Sequence, residues 1–305
     1  MVRFVLLRLQ VAVLVAITVS IVSFTLLRAS GDISVVLAGE NASSQEVARI
    51  ARDYGLDQPL YIQYLRWVGA ALQGDLGRSL FTNETVFSLI VERLPVTLYL
   101  AVPALFIGLM MAVPLGVIAA VRQNTWVDRL ALSIAVAGSA LPSFWFALLL
   151  IYFFGVYLRW LPISGSDTWL HFVLPWLAVS VGIMPSLMRL TRTGMLEVMS
   201  ADYVRTARAK GLTERIVMYK HALRNAILPV VSLTAVNLGF LLGGSLVIET
   251  VFALNGIGML AYLSIRRFDF PVVQSIIVFV SFAYIGLTLI ADVVNAKLDP
   301  RIGYK

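Results

Sequence analysis

Six stretches of this chain run for about 20 residues without Asp, Glu, Lys or Arg, and that decides what kind of object it can be. They cover residues 9–27, 97–121, 130–158, 170–188, 226–248 and 271–291. An α-helix needs ~20 apolar residues to cross a ~30 Å hydrocarbon core, and a backbone in lipid must satisfy its own hydrogen bonds. Nothing in these runs alternates in the ten-residue manner of barrel strands. Only 13% of the residues are charged, about half the share in a soluble globular chain. The expected fold class is all-α, a polytopic membrane protein with six transmembrane helices. The first run has 19 residues, more than a signal-peptide apolar region holds, so it reads as a retained span.

Charge sets the orientation. With both termini cytoplasmic, the inside pieces are residues 1–8, 122–129, 189–225 and 292–305. They hold 15 of the 24 Lys/Arg and 6 of the 17 Asp/Glu, a net of +9, and leave −2 for the outside pieces. The positive-inside bias demands this arrangement. The chain then divides into an N-terminal span region, 1–30, an external region, 31–96, a core of spans, 97–291, and a cytoplasmic tail, 292–305. The core contains the long cytoplasmic loop 189–225. The overall charge of +7 becomes a topological signal, with no nucleic acid implied.

Outside, Ser43-Ser44-Gln45-Glu46 fits a capping box for a helix running to Tyr54, with Gly55 able to stop it. The stretch GLDQPLYIQYLRWVGAALQGDLGRSLF mixes aromatics and glycine with few charges, which suits a segment lying on the membrane or a partner.

The span interiors lack the ionisable groups that ion-coupled transporters keep there. His171, at the outer start of the fourth, reads as a satisfied interfacial histidine. Glu249, at the outer end of the fifth, reads as a buried structural acceptor or a substrate contact. The chain has no GxxxxGK[ST] motif, no cysteine and only two histidines, so it offers no nucleotide site and no metal centre of its own. It reads as a non-enzyme without a cofactor. Gly239 and Gly243, with Gly244 beside them, form a GxxxG pattern that permits close helix packing within the chain or between subunits. Prolines 103, 114, 142, 175 and 185 interrupt or bound the spans and free backbone carbonyls.

The remaining question is the basic loop between the fourth and fifth spans. ADYVRTARAK, residues 201–210, favours helix, and Gly211 suits a left-handed cap behind it. Thr213 can start a second helix toward Pro229. On the first, Tyr203 and Ala207 share one face and Val204 and Arg208 a neighbouring stripe. A small-surfaced helix edged with Arg205, Arg208 and Lys210 fits a groove on another protein with carboxylates at its rim. A bare topology anchor, or a site for anionic lipid, is the alternative.

YVRTARAKGL followed by HALRNAILPV resembles the cytoplasmic signature of inner-membrane permease subunits of bacterial ABC importers, in the branch that includes dipeptide, oligopeptide and nickel systems. GLDQPLYIQYLRW, GDLGRS, ERLPVTLYLA, LPSFWFALLLIYFF, LGGSLVIETVF and LDPRIG resemble the same branch in the same order, so the resemblance covers the whole chain. It implies a type I ABC importer permease fold in the bacterial inner membrane. It also implies that residues 201–211 are the coupling helix seated on an ATPase subunit, with Tyr203, Arg205, Ala207, Arg208 and Gly211 as its working residues. The implied partners are a second homologous permease, one or two ATPase subunits that carry ATP and Mg, an external solute-binding protein and membrane lipid. Arg205 stands where the broader permease signature has glutamate, and the interval from Gly211 to Pro229 is longer than in that pattern. Both departures point to the peptide and nickel branch. The implied cargo is a small peptide, with nickel or a nickel chelate as the alternative. A non-transporting membrane scaffold or receptor component is the rival from another class.

Overall fold

The computed structural model describes residues 2–39 and 42–298. Residues 299–303 of the LDPRIG motif lie outside the described residues. Every named element is a helix, and extended backbone pairs only at an isolated bridge between Arg78 and Thr85 among the described residues. Four helices are long and apolar enough to cross a membrane alone: α1 (Val2–Ser30), α5 (Val86–Val121), α8 (Leu170–Met199) and α15 (Phe270–Leu298). Two bent pairs complete the six spans. The first is α6 (Trp126–Ala140) with α7 (Ser143–Leu150) and its π-helical continuation Ile151–Tyr157, bent by 98°. In the second, α10 (Glu214–Ile216) runs through π-helical turns Val217–Ala222 into α11 (Leu223–Ala226), then turns by 51° into α12 (Leu228–Leu242).

Several spans differ from the hydropathy pattern in length and shape. The second begins at Val86 rather than at residue 97, because Thr85 caps it by accepting from the Ser88 amide at 3.4 Å. Its 36 residues give about 54 Å at 1.5 Å per residue, so it projects beyond the hydrocarbon. The fourth runs on to Met199. The third breaks at Pro142, which caps α7 and cannot continue a helix. The fifth stops at Leu242, short of residue 248, since Gly244 takes φ +91° and turns the chain into α13 (Leu246–Val251). After it come α14 (Ile257–Arg266) and then α15.

The centre of the bundle is the α5–α8 pair, and glycine permits its closeness. A Cβ on Gly116 would stand 2.8 Å from the Met188 carbonyl oxygen. Leu100, Ala104, Leu174, Ala178 and Phe252 bury one end of the core, and Val117, Met195, Met218 and Ala222 the other. Pro103 removes the hydrogen bond that Tyr99 would otherwise accept. The Trp176 indole N–H donates to that carbonyl at 2.7 Å. Outside the core, α1 and α15 are the least buried of the four unbroken spans.

In the 31–96 region, α2 (Ile33–Ala38) precedes α3 (Ser44–Asp53), which Ser43 caps by accepting from the Glu46 amide at 3.3 Å. Gly55, at φ +66°, closes α3 as its spacing requires. Next, α4 (Leu60–Leu72) lies on α1, where the Tyr64 and Ser20 hydroxyls meet at 2.8 Å and Phe24 packs edge-on to the Tyr64 ring. The GDLGRS turn is pinned to the start of α15: the Ser79 hydroxyl donates to Asp269 Oδ2 at 2.5 Å and the Leu80 amide to Oδ1 at 3.2 Å.

Candidate functional site

Between α8 and the re-entry at α10 stands α9 (Asp202–Ala209). Its C-terminus closes in a Schellman motif, with the Leu212 amide donating to the Ala207 carbonyl at 3.4 Å and the Gly211 amide to that of Arg208 at 2.9 Å. Gly211 holds φ +75° with open space where a Cβ would go, so backbone conformation alone calls for glycine here.

The inward stripe is Val204 and Ala207, buried against Val217 and Val198. Ala207 therefore faces the body of the protein, although it shares a stripe with Tyr203, which is 43% exposed. The outward side presents Tyr203, Arg205, Thr206 and Lys210. Arg205 meets the exposed Asp202 at 3.5 Å.

Two side-chain links tie α9 to the helices after it. Asn225 Nδ2 donates to the Tyr203 hydroxyl at 2.7 Å, joining α9 to α11. Arg208 grips Glu214 across the turn at 2.8 and 3.3 Å. The hydrogen bonds from Arg208 hold the Glu214 carboxyl below the usual carboxylate range. The two motifs that the chain spells separately, at 203–212 and 221–230, thus meet in one unit.

Beneath this unit lies a buried ion pair that the sequence alone does not bring together. Arg192 on α8 binds Asp128 on α6 through both its Nε, at 2.7 Å, and its Nη2, at 2.8 Å. The Asn124 amide adds a third bond to Asp128 at 3.0 Å. The side chains of Asp128 and Arg192 are 3% and 18% exposed. Asp128 is the sole acid in 122–129, and that was the available signal. Nearby, a Cβ on Gly194 would stand 2.7 Å from the Ala226 carbonyl oxygen, which brings α8 directly onto α11.

At the far end of the fifth span, Gly239 abuts the Tyr284 ring and Gly244 abuts the backbone of Gly258, while Gly243 lies more loosely near Val280. All three face helices of the same chain. Glu249 is fully buried and accepts from the Met259 amide at 2.8 Å and the Thr97 hydroxyl at 3.4 Å, while Thr97 in turn accepts from the Ile257 amide at 2.8 Å. It is a structural acceptor here. His171 Nδ1 accepts from the Thr168 amide at 3.2 Å, the satisfied role expected of it. Among the described residues no three of His, Cys, Asp and Glu come together as a metal site.

Residues 112–304 match the family described as the binding-protein-dependent transport system inner membrane component, and residues 1–101 match that system's N-terminal membrane component. The chain belongs to this family. The permease is 42% identical over 275 residues to the glutathione transport system permease protein GsiC of Escherichia coli O6:H1, covering 90% of each chain. It is 40% identical, at the same coverage, to the protein of that name from Salmonella paratyphi A. A solved inward-facing form of the MetNI methionine ABC transporter aligns with 69% of this permease and 96% of that chain, at a TM-score of 0.58 and 20% identity. That likeness concerns the fold alone. The permease is thus an inner-membrane, multi-pass component of an ABC importer, and the fold and branch implied by its motifs stand. Such a permease is no enzyme and works with ATPase subunits and a binding protein.

Proposed function

We propose that this permease lines half of a solute path through the inner membrane and that α9 is where it receives the movement of an ATPase partner. The observation that carries the proposal is the bracing of α9. Its inward stripe, its Tyr203–Asn225 link and its Arg208–Glu214 link fasten it to the helix that re-enters the membrane. A displacement of its outward face passes into the fifth span as a rigid-body movement. Tyr203, Arg205 and Lys210 supply the docking surface, Arg208 braces the turn, Ala207 sets how closely α9 lies on the helix below, and Gly211 holds the turn. ATP and Mg belong to the ATPase subunits, and a second homologous permease supplies the other half of the path. ATP and loaded binding protein favour different states of the spans, and that difference drives the cycle. Both termini are cytoplasmic, residues 31–96 external and residues 97–291 the core.

The solute we propose is a small peptide of the glutathione kind, on the strength of the relatives' names over 90% of the chain. No observation favours nickel. Uptake of labelled glutathione by the reconstituted transporter, competed by short peptides and not by nickel, is the expected result. Nickel uptake without peptide competition would reverse the choice.

Coupling is tested at Gly211. Left-handed backbone costs a β-branched residue about 1–2 kcal/mol, so Gly211→Val should assemble yet lose most solute-stimulated ATPase activity and uptake. Gly211→Asn, tolerated at positive φ, should keep most of both. Wild-type uptake by Gly211→Val would remove α9 from the mechanism.

A further inference from the structure

The seam between α1 and α15 ends in an arginine of α1 at each membrane face, and the two arginines are treated differently. At the N-terminal end of α1, Arg8 Nε pairs with Asp292 of α15 at 3.1 Å. At its C-terminal end Arg28 lies over the Phe24 ring, 4.9 Å from the centroid, and meets no carboxylate among the described residues. Below Arg28 opens a groove of about 400 Å³ between α1, α4 and α15. Each helix lines it with side chains at helical spacing: Ile17 and Ser20 from α1, Tyr64 and Trp67 from α4, Phe279 and Phe282 from α15. Phe24 sits between groove and guanidinium, against both α4 rings.

We propose that this groove holds an acyl chain of an anionic glycerophospholipid whose phosphate pairs with Arg28. Depth supports it. Ser20 and Ala16 lie eight and twelve residues from Arg28, about 12 and 18 Å along the helix. That is the depth of one leaflet of a ~30 Å core. Charge supports it as well: among the described residues the cation at this end has no acid such as its counterpart has, and an anion from outside the chain supplies one. Tyr64 and Trp67 stand on the groove wall beside Phe24, where their rings can flank an acyl chain. The groove opens beside α1 and α15, the two least buried of the four unbroken spans. The proposal is independent of the coupling role of α9 and of the solute.

The test uses the complete transporter. Purified in mild detergent and examined by native mass spectrometry, the wild type should retain phosphatidylglycerol in preference to phosphatidylethanolamine. Arg28→Gln should lose that preference several-fold, and Ala71→Phe, which fills the groove, should lose the bound lipid. As a check that needs no filler, phosphatidylglycerol brominated on its acyl chains should quench the fluorescence of the wild type more than that of Trp67→Phe, which lacks the reporter indole. Unchanged phosphatidylglycerol retention by Arg28→Gln, or equal quenching of wild type and Trp67→Phe, overturns the proposal. So does release of the second permease by Ala71→Phe with lipid unaffected, which would make the groove a subunit seat.

Discussion

At the residue scale the strongest ion pair among the described residues is Asp128–Arg192, because it is bidentate, nearly dry on the acid side and completed by a backbone donor. Removing one partner of such a pair strands the other charge, at a cost of about 3 kcal/mol. Asp128→Ala should therefore lower the melting temperature of the purified transporter by several degrees. The exchange Asp128→Arg with Arg192→Asp should not restore it, since the Asn124 amide needs an acceptor at position 128. Full recovery by the exchanged pair would reduce the interaction to charge alone. Thr97 poses a similar question at the other end of the core. Its hydroxyl links the Ile257 amide to Glu249, so Thr97→Val leaves a buried amide unmatched at about 1–3 kcal/mol. Thr97→Ser should keep most of the stability, which thermal unfolding of the three proteins measures. Pairs of this kind were hidden from the sequence because a lone acid at 128 or 249 does not name its donor. The Gly211 turn was legible because glycine after a helix has few other uses.

At the element scale the adjacent glycines 243 and 244 separate packing from conformation. A Cβ on Gly243 would meet the Phe240 carbonyl oxygen at 3.3 Å and a Val280 methyl at 3.4 Å, contacts that a small shift relieves. On Gly244 it would overlap the Gly258 backbone, which cannot yield, and φ is +91° there. Gly243→Ala should reach the membrane in near-normal amount, whereas Gly244→Ala should part α13 from α14 and sharply reduce folded protein, read as the monodisperse peak of a fluorescent fusion in size-exclusion chromatography. Equal yields would mean that the turn between α12 and α13 is held elsewhere. The existence of all six spans was readable from hydropathy, and the break at Pro142 from proline chemistry, but most of their ends were not. Hydropathy reports which side chains tolerate lipid, and Glu92 and Arg93 made the first turns of α5 look external although the helix runs through them. The stop caused by Gly244 is a backbone event inside apolar sequence, where the hydropathy pattern does not change.

At the scale of the whole molecule, the orientation proposed from charge decides whether α9 can meet an ATPase at all. Moving the 189–225 loop outward would carry eight Lys/Arg with it, the placement that the positive-inside bias opposes. The length of α8 agrees with a cytoplasmic extension: it passes the end of its charge-free run at residue 188, and Asp128–Arg192 clamps it to α6 in the projecting part. The chain contains no cysteine, so single cysteines report sidedness without a background to remove. Ser200 and Thr82 both present exposed side chains on opposite ends of the bundle's connections. In right-side-out vesicles, a membrane-impermeant maleimide should label Thr82→Cys directly and Ser200→Cys only after permeabilisation. The reverse pattern would put α9 outside, out of reach of any cytoplasmic ATPase, and the coupling role would fall with it, while the fold and the family would stand.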